Sequence, residues 1–452
     1  MFYRALVRFM SLVAWTFYKR IEVVGLENVP ADGAVILAGN HPNALIDGVL
    51  LMCHAGRTPV HFLGNAKLWK IPLLARLLDA LGAVPVQRRE EHGSGADNRD
   101  AFDRVDEVLA RGGCVAIFPE GISHTDSQLS RLKTGTARIA LRAAAHREAA
   151  VAIIPFGLTY YDRHRFRSQV LLHFDSPIHI DRHRLSAYAN DKVGAVRQLT
   201  QKLRERLSRV TLNAPDWATL RFIHAARRLY KPMSVNLTPS VYVDLSRRFV
   251  EHYTRFADEP DIQRLRAKIE AYQSQLELLG LKDHQLNHPV STRLAMTRIV
   301  WRTTQVVLFF PIALPGAIVV QPIAWLAATV SSWYSYDVDD IATLKVSTAV
   351  PILLAAYTLV TVWVGLAFGW GWAVLAVLLI PVSLFATLFV LEKQAQLLIS
   401  IRSVFRLAWL RSDIEALGDE RKKLVAAVRT AVDRYADPRI RRIFDASDFS
   451  GQ

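Results

Sequence analysis

Two uncharged runs in the last third of the chain limit what it can fold into more than any other feature. Residues 303–330 read TTQVVLFFPIALPGAIVVQPIAWLAATV, and residues 346–391 read VSTAVPILLAAYTLVTVWVGLAFGWGWAVLAVLLIPVSLFATLFVL. A helix needs about 20 apolar residues to cross the hydrocarbon of a bilayer, and the second run is about twice that length. FGWGW near its middle marks a turn between two spans, with tryptophans at interface depth. Few water-soluble cores supply uncharged runs this long, which disfavours the alternative of a buried helix pair. In the first run Pro311, Pro315 and Pro322 each remove a backbone donor. That segment is expected to enter the bilayer and return, with three full crossings as the alternative. Basic residues flank the region on both sides, at Arg293, Arg298 and Arg302 and again at Lys393, Arg402, Arg406 and Arg411. The positive-inside bias places both flanks in the cytoplasm.

The residues before this region divide by pattern. MFYRALVRFMSLVAWTFYKR is aromatic and apolar with Arg4 and Arg8 interspersed, and it lacks a cleavage-type small-residue site. Residues 1–20 are expected to form an amphipathic helix on a membrane surface, or else to pack on the neighbouring domain. From residue 21 to 212, short apolar runs (AVILAGN, VHFLGN, GAVPVQR, GCVAIFPE, VAIIPFGLTYY, VLLHFDSPI) alternate with stretches of helical period. This alternation predicts an α/β domain whose mostly buried sheet is flanked by helices. Residues 213–300 are charged and helical in period, 301–392 are membrane-embedded segments, and 393–452 form a cytoplasmic helical tail.

The formal net charge of +15 suits an anionic partner. A nucleic-acid binder would interleave aromatics with arginine on an exposed surface, whereas these aromatics concentrate in the membrane-like segments. The charge therefore points to a lipid surface or a phosphorylated ligand, with no nucleic acid. Cys53 and Cys114 sit in apolar surroundings without metal-type spacing, as buried free thiols do in a reducing compartment.

Within the α/β region, AGNHPNALIDGVL places His41 and Asp47 at the edge of an apolar run. Asn43 is a candidate N-cap, His41 would precede the helix, and Asp47 would lie about one turn inside it. A carboxylate on one imidazole nitrogen sets the tautomer and leaves the other as a general base for a hydroxyl. A histidine near an aspartate is more often structural. Three further segments add weight. GCVAIFPEGISH is a strand ending in a Pro119–Glu120–Gly121 turn, where glycine permits close backbone approach. LGAVPVQRRE ends a strand at Arg88 and Arg89, and arginine forks suit phosphate. RLKTGTARIAL sets Arg131 and Lys133 ahead of a helix. In open α/β sheets, ligands gather at the carboxyl ends of strands.

These segments, in this order, resemble the glycerolipid acyltransferase family, the glycerol-3-phosphate and lysophosphatidate acyltransferases. NHPNALID matches the family's NHxxxxD block, AKLWKIPLLARLLDALGAVPVQR its second, FPEGISH its FPEG block and VAIIPFGLTYY its fourth. GLTYYDRHRFRSQVLLHF, and DDIATLK before a membrane run, look like the fungal glycerol-3-phosphate/dihydroxyacetone-phosphate branch. The resemblance implies that His41, held by Asp47, deprotonates an acceptor hydroxyl that attacks an acyl thioester. It also implies that Arg88 and Lys133 meet the acceptor phosphate, and that Asn40, Pro119, Glu120 and Gly121 line the acceptor site. No metal or redox cofactor is implied. The partners would be a phosphorylated glycerol acceptor, membrane lipid and an acyl donor, either acyl-CoA or acyl carrier protein. Two departures stand out: five residues rather than four separate His41 from Asp47, and Ile122 and Ser123 stand where many relatives carry arginine after FPEG.

Overall fold

The computed structural model describes residues 2–87, 97–147, 150–232, 235–279, 281, 283–286, 292–335, 337–409, 411–435 and 443–444. The chain divides into two compact units. The first comprises residues up to Leu220 together with Leu237–Val250 and Asp337–Thr343; the second holds the remainder.

The first unit contains the expected α/β domain. Helix α1 (Phe2–Phe17) runs directly into β1 (Tyr18–Val24). The order then continues β2 (Ala34–Gly39), α2 (Ala44–His54), β3 (Val60–Asn65), α3 (Pro72–Ala80), β4 (Val84–Val86), α4 (Arg99–Ala110), β5 (Cys114–Ile117) and α5 (Gly135–Arg147). After these come β6 (Val151–Tyr160), β7 (Ser168–Phe174), β8 (Ile178–His179), α6 (Arg182–Asn190) and α7 (Lys192–Val210). Among the described residues eight strands form one sheet in the order β1-β7-β6-β2-β5-β3-β4, with β8 also on β6. Strands β2 to β6 are mutually parallel, while β7 and β8 run antiparallel to β6. The sheet is thus mixed, and β2 lies inside it with every residue buried. Continuous apolar runs such as AVILAG suit strands covered on both faces. Val105 and Leu109 of α4, Ala140 and Leu141 of α5 and Leu203 and Leu207 of α7 pack on one face with Ile36, Val115 and Ile153 from the strands.

This topology sends the carboxyl ends of five parallel strands to one edge. His41 follows β2, the Pro119–Glu120–Gly121 turn follows β5, and Tyr160 ends β6. Helix α1 packs one face on the unit: Tyr3 Oη donates to Val60 O, and Ala14 and Phe17 are buried. Its other side exposes Phe2, Leu12 and Trp15. Cys114 is buried and Cys53 half-buried, both as free thiols.

The second unit carries the apolar segments. In chain order they are named here αA (Thr292–Tyr334), αB (Ile341–Phe368, from Leu344 onward in this unit) and αC (Trp370–Trp409). Among the described residues three helices are long and apolar enough to cross a membrane, Met296–Tyr334, Ile341–Phe368 and Trp370–Leu398. Gly369, at φ 98°, makes the turn expected at FGWGW.

The first apolar segment departs from expectation. It does not break and return: αA is one continuous helix through Pro311, Pro315 and Pro322. The reason lies in αC. Ser383 Oγ accepts from Gly316 N–H and donates to Ile312 O, both at 2.7 Å. Its hydroxyl therefore sits within the rung that Gly316 and Ile312 would otherwise close. Thr387 Oγ1 donates to Ala313 O at 2.8 Å. Proline is tolerated in a membrane helix where neighbouring hydroxyls satisfy the disturbed carbonyls. Gly316 permits the approach, because a Cβ there would lie 2.6 Å from Thr387 Oγ1 and 2.7 Å from Ser383 O.

This contact generates a prediction. Ser383→Ala should weaken the αA–αC pair by about 1 kcal/mol, and Gly316→Leu should weaken it more, by forcing the backbones apart. Thermal unfolding in detergent measures both. A Gly316→Leu protein as stable as the parent would show that the close approach is not required.

Candidate active site

The site is built on the junction of β2 and α2. His41 Nδ1 lies 2.9 Å from Asp47 Oδ2, so the predicted pair forms despite the longer spacing. The segment closes through Ala44 at φ 40°, a conformation that costs a residue with a Cβ of order 1–2 kcal/mol. Strain of this kind persists where surrounding contacts over-determine it, and here they do. Asp47 is fully buried. Its Oδ2 also accepts from Asn43 N–H at 2.8 Å, and its Oδ1 accepts from the Tyr160 hydroxyl at 2.5 Å. Asn43 occupies the N-cap position without a side-chain cap bond. Its amide instead donates to Tyr18 Oη and Arg163 O, each at 3.2 Å. Burial and the nearby Asp47 charge both push the Tyr160 and Tyr18 hydroxyls well above the usual phenol range, so both remain neutral and Tyr160 remains a donor to Asp47.

The imidazole of His41 stacks on the Phe118 ring, with centroids 3.9 Å apart and planes 8° from parallel. Its side chain is 16% exposed. With Nδ1 directed to Asp47, Nε2 has no protein partner among the described residues. The arrangement offers an oriented base whose second nitrogen can accept a proton from a hydroxyl.

Other sequence-derived residues gather round this pair in different ways. Asn40 is bound to β6: its Nδ2 donates to Leu158 O at 3.0 Å and its Oδ1 accepts from Leu158 N–H at 2.7 Å. It thereby extends β2 by one rung and aims His41. Glu120 is buried with its carboxylate turned inward. It accepts from His41 N–H at 3.2 Å, from Ser130 N–H at 2.7 Å and from the His124 ring. Pro119 O accepts from Lys133 N–H at 2.7 Å. Gly121 adopts φ 78°, and a Cβ there would sit 2.8 Å from Lys133 Nζ, so glycine leaves room for that side chain to cross the turn. Arg88 and Arg89 lie outside the described residues; β4, which leads to them, is separated from β2 by β5 and β3.

Four participants escape sequence reasoning: Tyr18, Tyr160, His124 and Arg163. His124 N–H donates to His41 O at 3.2 Å. Its hydrogen bond to Glu120 raises its imidazole above the ordinary value, against the opposing effect of burial. FPEGISH contains this histidine, but its i, i+4 relation to Glu120 is only meaningful once the turn geometry is known.

Known proteins share this chain's pattern over most of its length. The Acyltransferase family model matches residues 20–159, and that of the glycerol-3-phosphate acyltransferase 2 C-terminal domain matches residues 222–440. The chain thus carries an acyltransferase-family domain followed by a region matching the C-terminal domain of glycerol-3-phosphate acyltransferase 2. An uncharacterized acyltransferase of Schizosaccharomyces pombe is 32% identical over 75% of this chain and 54% of its own length. Glycerol-3-phosphate O-acyltransferase 2 of Saccharomyces cerevisiae is 38% identical over 50% of this chain and 31% of its own. The chain thus spans about half or less of the length of these relatives. A solved structure of the 1-acyl-sn-glycerophosphate (LPA) acyltransferase PlsC from Thermotoga maritima aligns with 45% of this chain and 80% of that one, at 20% identity and a TM-score of 0.31.

The contacts of Asp47 and Glu120 can each be tested. Tyr160→Phe removes one donor from Asp47 while preserving shape. It should lower kcat by about tenfold and leave KM for both substrates within about twofold. A loss confined to KM would contradict a role in orienting the dyad. His124 gives a pH signature. Its raised value means that its stabilising pairing with Glu120 is complete below its ordinary value and is lost as pH rises through the raised one. The apparent Tm of the parent should therefore fall with rising pH in that window relative to His124→Gln. Parallel curves would contradict the assignment.

Proposed function

We propose that the chain is a membrane-bound O-acyltransferase. It moves a fatty acyl chain from an acyl thioester to a hydroxyl of glycerol-3-phosphate or dihydroxyacetone phosphate, in phospholipid synthesis by way of phosphatidic acid. The observation that carries this reading is the buried, three-donor Asp47 holding His41 with Nε2 directed away from the carboxylate. His41 Nε2 takes the proton of the acceptor hydroxyl as that oxygen attacks the thioester carbonyl. Collapse of the tetrahedral intermediate breaks the carbon–sulfur bond, and the imidazolium returns the proton to the leaving thiolate. The direct route requires no covalent enzyme intermediate, metal or redox cofactor. Arg88 and Lys133 are proposed to meet the acceptor phosphate, with Asn40, Pro119, Glu120 and Gly121 shaping the pocket. The hydrogen bonds of Asn40 and Glu120 favour an indirect part, in which they hold the backbone around His41.

The relatives' names support the acceptor class, and the three apolar helices suit a lipid product that partitions into the bilayer. The exposed Phe2, Leu12 and Trp15 of α1 suit a membrane surface. The catalytic unit is assigned to the cytoplasmic face, where soluble acyl donors are found, whether acyl-CoA or acyl carrier protein.

His41→Ala should reduce acyl transfer by roughly 10²–10⁴-fold while expression and membrane association are retained. The assay uses protein purified in detergent, a labelled acyl-CoA and glycerol-3-phosphate, dihydroxyacetone phosphate or 1-acylglycerol-3-phosphate in turn. Near-parental turnover by folded His41→Ala protein would remove this mechanism. Absence of transfer to all three acceptors by the parent would remove the function.

A further inference from the structure

Arg163 stands beside the FPEGISH turn without belonging to it. It lies in the turn between β6 and β7. Its carbonyl is held by Asn43 Nδ2 at 3.2 Å, which ties the turn to the N-terminus of α2. Its guanidinium reaches toward the FPEGISH turn, where Nη1 makes one long hydrogen bond, 3.4 Å, to His124 O. His124 N–H in turn donates to His41 O. The guanidinium is therefore one residue removed from the catalytic base.

Its other donors are unused among the described residues. A buried arginine elsewhere in the same unit provides the contrast: Arg57 donates to Pro30 O, Gly33 O and Gly112 O at 2.7–2.9 Å. A half-buried guanidinium left with one weak bond is costly, because its hydration is not replaced. Burial pulls Arg163 below the ordinary arginine value, which expresses the same cost. Four anionic or ionisable groups face it: Asp47, Tyr160, Asp339 and Asp126. None forms an ion pair with it among the described residues. Asp47 is committed to His41, Asn43 and Tyr160, and Asp126 to the His124 ring. Asp339 belongs to the Asp337–Thr343 segment, which clusters with this unit, and it is buried. A fork of donors beside an oriented base, with no paired carboxylate, has the chemistry of an anion site.

We propose that Arg163 grips the phosphate of the acceptor and so sets its hydroxyl against His41 Nε2. This assignment rests on the reading of the chain as an acyltransferase with a phosphorylated acceptor, and it adds a binding residue to that site.

The test uses the full chain in detergent with a long-chain acyl-CoA. Arg163→Met should raise KM for glycerol-3-phosphate by roughly 10- to 100-fold and leave KM for acyl-CoA within about twofold. Arg163→Lys should recover part of the loss, since it keeps the charge and gives up the fork. Inorganic phosphate, competing with the acceptor, should inhibit the parent and lose potency against Arg163→Met. An unchanged KM for glycerol-3-phosphate in Arg163→Met would overturn the assignment. So would a fall in kcat with both KM values preserved, because that would make Arg163 a brace for the His124 loop. The parent is assayed first: failure to acylate any phosphorylated acceptor would overturn the underlying reading and this inference with it, whereas an active parent with an indifferent variant would overturn the inference alone.

Discussion

The site depends on one buried carboxylate. Asp47 has no solvent contact and remains tolerable as an anion only because donors surround it. Each donor comes from a different part of the unit: the His41 ring from the end of β2, the Asn43 amide from the start of α2, and the Tyr160 hydroxyl from the end of β6. Satisfying Asp47 therefore joins the sheet centre, a helix N-terminus and a neighbouring strand. The left-handed Ala44 is held in place by the same closure. His41 gains its orientation as a by-product of keeping that charge paired.

A second carboxylate plays the complementary part from the other side. Glu120 accepts from the backbone N–H of His41, from Ser130 and from the His124 ring. It fixes the main chain of His41 where Asp47 fixes the side chain. The family block containing Glu120 thus reads, in this chain, as a brace for the geometry of His41. Phe118, two residues before Glu120, stacks on the imidazole and confines its remaining motion.

The membrane region follows the same logic in a different solvent. Backbone groups in lipid must find partners inside the protein. Three prolines disturb the ladder of αA, and hydroxyls of Ser383 and Thr387 on αC meet the disturbed segment. A helix that would be broken by itself is continuous because its neighbour supplies polar groups at the right height. The small side of Gly316 lets that neighbour approach.

Much of the architecture was legible along the chain. Buried strands such as AVILAG and VAIIPFGLTYY, the helices between them and the apolar segments appear because burial and lipid both select side chains by polarity, with a period that a linear string preserves. His41 and Asp47 were legible for a related reason: they lie close along the chain at a helix start, so local geometry alone can pair them. Tyr18, Tyr160, His124 and Arg163 were not. They reach the site from separate strands and turns, and only the sheet order β1-β7-β6-β2-β5 brings them together. The prolines of αA misled for the same reason, since a missing backbone donor is a local fact and the hydroxyl that compensates for it lies 71 residues away. The sequence by itself determined the solvent each segment occupies and the pairs that lie within a few residues of each other. The tertiary structure decided which distant donors surround each buried charge, because hydrogen bonds depend on distance and angle, which residue order does not carry.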